Sequence, residues 1–106
     1  MEFTAIQRMS VESILGQQRG TVGELEVVYD IIEKIKLPTE TKNSAVKTLP
    51  DGRVLLDEVA LQAIPNEDIT LEKAERQKLL DIIKTYNGFG PGDVSWIMPL
   101  KKQLEH

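Results

Sequence analysis

Cysteine is absent from this sequence of 106 residues. Its absence excludes disulfide bonds, a thiol nucleophile, and zinc or iron–sulfur centres held by cysteine. A chain without cysteine is also typical of a reducing compartment, so we expect a cytoplasmic protein. Aromatic residues make up only 5% of the chain, which disfavours the sugar cleft of a glycosidase.

Histidine occurs once, as His106, and the last residues, Leu104-Glu105-His106, resemble the start of a vector-encoded polyhistidine tail. We therefore predict one globular domain over residues 1–103 and an expression-tag remnant at 104–106. Without His106 the chain has no imidazole for acid–base or metal chemistry. No apolar run approaches the roughly 18 residues of a membrane-spanning helix, so we expect no membrane partner.

Basic residues are outnumbered, with 13 Lys and Arg against 17 Asp and Glu and a net charge of −4. The only adjacent basic pair is Lys101-Lys102. Because nucleic-acid-binding proteins usually present a basic stripe, the sequence argues against a nucleic-acid partner. A nucleic-acid-associated regulator is kept as an alternative. It would use the N-terminal cations Arg8, Arg19, Lys34 and Lys36.

The clearest pattern lies in residues 67–88. Apolar residues from Leu79 to Tyr86 recur at i, i+3, i+4 and i+7, the spacing of one helix face, and an Asn-Gly pair follows them. We predict strand-like residues from Glu67 to Leu71, an N-cap at Thr70, and then a long helix. Charged residues occupy its first turn, so burial is expected to begin near Leu79.

Two further helices are predicted at 3–16 and 21–36, and the short turn between them favours an antiparallel hairpin. Thr21 and Glu24 form a capping-box pattern at the start of the second helix. Its apolar residues cover about half of the helix circumference, which predicts packing on more than one side. These residues are Val22, Leu25, Val28, Tyr29, Ile32 and Ile35.

The segment between the second of these helices and residue 67 leaves alternatives open. Residues 39–51 fit either a short helical turn or a polar loop, and Asp57–Ile64 fits either a strand or a short helix. The turn sequence Pro50-Asp51-Gly52 would allow 46–49 and 53–56 to pair as a hairpin.

The preferred fold class is α+β. It consists of an N-terminal helical hairpin, a small antiparallel β-sheet, a long helix and a short C-terminal helix. The strands of the sheet are expected at 53–57 and 67–71, with the helices on one side of it.

The last helix is expected over about 94–104, with Asp93 as its N-cap and a kink or break at Pro99. Its apolar residues would give it a docking edge, since tryptophan is a frequent interface anchor. The predicted interaction surface consists of Trp96, Ile97, Leu100, Val22 and Tyr29. Core packing is the competing interpretation for Tyr29, Tyr86 and Trp96, because aromatic residues at helical spacing usually lie inside.

No stretch carries a catalytic or cofactor-binding motif. Gly88, Gly90 and Gly92 follow a helix with the spacing G-x-G-x-G-D, whereas phosphate loops follow a strand and open a helix. The acidic neighbours Asp57-Glu58 and Glu67-Asp68 are the one cluster that suits a hard cation, yet Ca²⁺ needs about 6–8 oxygen ligands. We therefore predict no catalytic, cofactor-binding or metal-binding residue.

Several positions match a pattern found in a group of small uncharacterised proteins predicted from bacterial and phage genomes. They are Arg8, Leu15 and Leu25 in the hairpin, Gly52-Arg53-Val54, Asp68-Ile69-Thr70-Leu71, Leu79-Leu80, Asp93 and Trp96. The chain resembles this group over most of its length. The resemblance implies the fold type above and a phage or prophage origin, and it brings no catalytic residue. The glycine-rich run at 88–92 and Pro99 depart from the pattern.

The sequence thus predicts a non-enzymatic interaction or assembly module that binds another protein or a second copy of itself, as a homodimer. The second interpretation is a small-ligand or metal-binding protein, or an enzyme, that uses the acidic cluster. The nucleic-acid-associated regulator is the third.

Overall fold

The computed structural model describes residues 1–105, together with the side chains of all of these except residues 47, 56 and 58. The chain forms a small α+β fold in which helices predominate. In chain order the elements are β1 (Glu2–Phe3), α1 (Ala5–Gly16), α2 (Val22–Ile35), α3 (Thr39–Ser44), β2 (Val46–Thr48), β3 (Val54–Leu56), α4 (Glu58–Ala63), β4 (Glu67–Asp68), α5 (Lys73–Thr85), a 3₁₀ turn (Pro91–Asp93) and α6 (Val94–Glu105).

The first helix begins at Ala5 rather than at residue 3, because Thr4 caps it. The Thr4 hydroxyl accepts a hydrogen bond from the Gln7 N–H at 3.2 Å, and the Gln7 Oε1 accepts one from the Thr4 N–H at 2.9 Å. This reciprocal cap satisfies two N–H groups that the helix leaves unpaired. Phe3 consequently lies in β1, where it is fully buried.

Helices α1 and α2 contact each other as antiparallel neighbours do. Arg8, in the first turn of α1, reaches the last carbonyls of α2: its Nε donates to Ile35 at 2.7 Å and its Nη2 to Lys36 at 2.8 Å. At the opposite end of α2, the Thr21 hydroxyl accepts a hydrogen bond from the Glu24 N–H at 3.3 Å. The predicted start of this helix is therefore confirmed.

Residues 39–64, which the sequence fits to more than one structure, form two short helices that flank a hairpin. Residues 39–44 form α3, and residues 57–64 contain a helix rather than a strand. Asp57 caps this helix, α4, because its Oδ1 accepts hydrogen bonds from the N–H groups of Val59 and Ala60 at 3.1 and 3.2 Å. β2 and β3 pair as the antiparallel hairpin that the turn sequence allows.

The expected single sheet with strands at 53–57 and 67–71 is wrong. β3 pairs with its hairpin neighbour β2, whereas β4 pairs antiparallel with β1 at the N-terminus. Within the described residues the strands thus form two separate two-stranded sheets. The sequence does not predict the pairing of β1, because the first helix is expected to begin at residue 3.

The N-cap of α5 is Glu72 and not the predicted Thr70. The Glu72 N–H donates to the Oε1 of Glu75 at 2.8 Å, so the acidic residues of the first turn themselves form the cap. Burial also begins earlier than Leu79, because Leu71 and Glu75 are already buried. The helix ends at Thr85, shortly before the Asn-Gly pair.

The main apolar core joins α1, α2, α5 and α6. Helix α6 continues through Pro99, so the predicted break at this residue is absent. Leu104 is buried in the core and Glu105 pairs with Lys101 at 3.0 Å, so both belong to the fold. Their assignment to an expression tag stays a prediction, as does the domain boundary at 103, and His106 lies outside the described residues.

Replacing either of two glycines with alanine should change the free energy of unfolding, in opposite directions for the two positions. Gly52 has a φ of +88° in the β2–β3 turn, so Gly52→Ala is expected to lower the free energy of unfolding by about 1 kcal/mol. Gly23 lies within α2 and a Cβ there would meet no atom within 4 Å, so Gly23→Ala should raise it by about 0.5 kcal/mol. Urea unfolding of the two variants measures both changes. Equal effects of the two would contradict the assigned backbone conformations.

Candidate functional site

Helix α2 carries a row of exposed apolar side chains on the side that faces away from the core. Val22, Leu25 and Tyr29 follow one another at i, i+3 and i+7 and are 75%, 37% and 60% exposed. The core side of the same helix holds Val28 and Ile31, which are buried. We call the row Val22–Leu25–Tyr29 the outer α2 face. Helix α2 packs against two neighbours, α1 and α5, as the prediction of packing on more than one side requires, but the outer α2 face is not covered.

A row of carboxylates runs along one flank of the outer α2 face. Glu26, Asp30 and Glu33 are spaced at i, i+4 and i+7, and all three are exposed. Glu33 pairs with Lys36 at 3.1 Å, whereas Glu26 and Asp30 form no salt bridge to any described residue. The outer face is therefore apolar along its centre and negatively charged along one edge.

Three members of the predicted interaction surface lie inside the molecule. Trp96, Ile97 and Leu100 are buried in the main core, where α6 packs against α1 and α5. Their helical spacing identified an apolar face correctly, but the protein itself covers that face. The predicted docking edge on the last helix is therefore wrong, while Val22 and Tyr29 are available at the surface. Core packing is confirmed for Tyr86, which packs against the core, and not for Tyr29.

A second surface feature, not anticipated from the sequence, is a groove between α1 and the segment 86–96. It has a volume of about 330 Å³ and is lined by Ile6, Met9 and Ser10 on one side and by aromatic residues on the other. The aromatic rings make edge-to-face contacts, with centroids of Tyr86 and Phe89 4.8 Å apart. We call it the aromatic groove.

Asp93 lies in the aromatic groove and does not cap α6 as predicted. Its Oδ2 accepts a hydrogen bond from the Gly90 N–H at 2.8 Å, and its Oδ1 accepts one from the Trp96 Nε1 at 3.0 Å. These two hydrogen bonds hold the pKa of Asp93 below its ordinary value, against the smaller effect of burial. The carboxylate is therefore ionised at neutral pH.

The acidic residues that would bind a metal or ligand contact other groups of the protein. Glu67 accepts from Arg8 Nη1 at 2.9 Å, Asp68 contacts the amino group of Met1 at 2.8 Å, and Asp57 caps α4. Among the side chains that the structure describes, no three carboxylate or imidazole groups come together at a spacing suited to a metal ion. The side chain of residue 58 lies outside this description.

The cations that would contact a nucleic acid mostly form ion pairs or hydrogen bonds within the protein. Arg8 is buried at the end of α2, and Lys34 pairs with the buried Glu75. Lys36 pairs with Glu33, which leaves Arg19 as an exposed member of the set without a salt bridge to the described residues. These side chains do not form a basic stripe.

Comparisons with protein-family models, with curated proteins and with solved structures found no match to this chain. The resemblance to small proteins from bacterial and phage genomes thus stays a prediction. None of the helices within residues 1–105 combines the length and the apolar character needed to cross a bilayer.

Proposed function

We propose that this protein is a non-enzymatic binding module that holds a basic amphipathic helix of another protein against its outer α2 face. The observation that carries the proposal is the exposure of Val22 and Tyr29, at 75% and 60%, on a helix whose opposite side is already in the core. Burial of a large apolar side chain contributes about 1.5–3 kcal/mol, so this row offers a partner a substantial gain. Tyrosine is also enriched among the residues that dominate binding energy.

A helix is the partner shape that suits a straight row of this spacing. Side chains at i, i+3 and i+7 form a ridge along α2, and the ridge of one helix packs into the groove of another. A shallow depression beside this row of side chains is lined by Val22, Leu25, Glu26, Tyr29 and Asp30. A partner helix would place its apolar residues there and its flanking side chains over the carboxylates.

The carboxylates beside the outer α2 face favour one kind of partner. Two copies of α2 that paired antiparallel through this face would bring their rows of Glu26 and Asp30 side by side, and like charges at an interface disfavour binding. Parallel pairing would bury each row against the apolar edge of the other without a counterion. Lysine or arginine on the partner helix satisfies the same carboxylates, so the charge pattern favours a basic partner over a second copy.

Binding of a synthetic peptide tests the proposal. The probe is a fluorescently labelled helix of about 18 residues, roughly five turns, with leucine on one face and lysine beside it. We expect binding that weakens as salt is raised, and Tyr29→Ala should weaken it by about tenfold, the effect of losing an interface anchor. Fluorescence anisotropy measures both.

Matched controls distinguish binding at the outer α2 face from non-specific hydrophobic association. Val59→Ala removes a side chain that is 78% exposed on α4 and should leave peptide binding unchanged. A peptide with the same leucines but glutamate flanks should bind poorly. Equal binding of the two peptides, or equal loss in Val59→Ala and Tyr29→Ala, would contradict the proposal. Light scattering that shows a dimer disrupted by Tyr29→Ala would replace the basic partner with a second copy.

A further inference from the structure

The aromatic groove is built from two parts of the chain that are far apart in sequence. One wall is α1, which contributes Ile6, Met9 and the Ser10 hydroxyl, and the other is the segment 86–96. Its volume of about 330 Å³ is at the lower end of the range for small-molecule sites. It lies apart from the outer α2 face, so the two surfaces can be tested independently.

Three aromatic rings form a corner in this groove. Tyr86 and Phe89 meet at an interplanar angle of 70°, and Phe89 and Trp96 meet at 71° with centroids 5.8 Å apart. Edge-to-face packing holds each ring against the next, and all three rings line the groove. Aromatic rings that line a groove attract an organic cation through the negative potential of their faces.

Gly88 allows the Tyr86 ring to occupy its place in the corner. A Cβ at Gly88 would lie 2.5 Å from the Tyr86 hydroxyl oxygen and 2.6 Å from its Cζ. The ring therefore lies over the backbone at residue 88, where no side chain obstructs it. Any side chain at residue 88 would displace the ring.

Asp93 is the sole charged residue among those that line the groove, all of which the structure describes. Its carboxylate accepts hydrogen bonds from the Gly90 N–H and from the Trp96 indole, which orient it. Two hydrogen bonds leave lone pairs on a carboxylate that can face a further positive group. No lysine or arginine lines the groove to neutralise it.

We propose that the aromatic groove binds a small molecule that carries an N-methylated ammonium group. The cation is attracted by the three rings and by the carboxylate of Asp93. Methylation suits the opposite wall, because Ile6 and Met9 contact methyl groups, whereas an ammonium with N–H groups would have only the Ser10 and Ser13 hydroxyls there to replace part of its hydration.

Choline and 3,3-dimethylbutan-1-ol are the probes that test this proposal. They share one shape and differ only in having a nitrogen cation or a neutral carbon at the centre of the methyl groups. The chain has one tryptophan, so the indole N–H signal of Trp96 in a ¹⁵N NMR spectrum reports on the groove. We expect a saturable shift with choline and a dissociation constant at least about tenfold weaker for the neutral alcohol.

Two variants place the binding in the groove. Asp93→Asn keeps an oxygen that can accept from Trp96 but removes the charge, and it should reduce the preference for choline over the alcohol. Gly88→Ala should displace Tyr86 and weaken choline binding while far-UV circular dichroism is unchanged. Equal affinity for both probes, no saturable shift, or unaltered binding in both variants would overturn the proposal. Co-sedimentation with phosphatidylcholine vesicles, in place of binding to free choline, would also contradict it, because the ligand would then be a membrane surface.

Discussion

Replacing Arg8 with methionine is expected to lower the free energy of unfolding by about 3 kcal/mol, because it removes a charge that satisfies several buried groups. Arg8 is 6% exposed and bonds to the carbonyls of Ile35 and Lys36 at the end of α2 and to Glu67 on β4. One guanidinium thus joins α1, α2 and β4. Without it, the last carbonyls of α2 lose charged hydrogen-bond donors that methionine cannot replace.

Urea unfolding of Arg8→Met measures this change. Glu67→Gln is the matched control, because Glu67 is half-exposed and an exposed ion pair contributes less than about 1 kcal/mol. Arg8→Lys keeps the charge but has a single nitrogen and should recover only part of the loss. A change below about 0.5 kcal/mol in Arg8→Met would show that this cation is not structural. The interpretation of Arg8 as a nucleic-acid contact would then be open again.

Replacing Glu75 with alanine should lower the free energy of unfolding by about 2 kcal/mol. Glu75 is 5% exposed, and its carboxylate accepts hydrogen bonds from Lys34 Nζ and from the Glu72 N–H. Alanine removes the cap of α5 and the link between α2 and α5 at once. Gln77→Ala on the exposed side of α5 is the control, and urea unfolding at neutral pH measures both.

The stabilisation by Glu75 should depend on pH in the acidic range. Burial alone would raise the pKa of Glu75, but the hydrogen bonds from Lys34 and Glu72 and the charge of Lys34 outweigh it and lower the pKa. Because the pKa is lower in the folded state, the stabilisation is complete above the ordinary pKa of a glutamate, about 4.3, and is lost as the pH falls through the folded value.

Glu75→Gln isolates this effect. The variant should lose less stability than the wild type between neutral pH and the acidic range, since glutamine does not titrate. Thermal unfolding midpoints at a series of pH values measure the difference. Parallel pH profiles for wild type and Glu75→Gln would contradict the assigned contact between Glu75 and Lys34.

Local chemistry could be predicted from the sequence where it depends on neighbouring residues. The cap at Thr21 and the hairpin around Gly52 follow from side chains and backbone preferences within a few positions. The sequence predicts Thr70 as the cap of α5 because threonine is a preferred N-cap residue and glutamate is not. Glu72 takes the position because Glu75 folds inward towards Lys34. That contact involves another helix and leaves no trace in the local pattern.

Long-range arrangement explains the remaining differences. The spacing of Trp96, Ile97 and Leu100 shows that one face of α6 is apolar, but a periodic pattern does not say whether the chain itself or a partner covers that face. For α2 the breadth of the apolar arc was the useful signal, because its inner half is in the core and its outer half is exposed. The aromatic groove joins residues about 80 positions apart, so no local motif announced it.

We propose that the outer α2 face is the binding surface of this protein. Titration of ¹⁵N-labelled protein with the lysine-flanked peptide, followed by two-dimensional NMR, tests it residue by residue. We expect the largest shifts on residues 22–30, with little change in α4 and around Trp96. Shifts that are absent from 22–30, or that centre on residues 86–96, would contradict it.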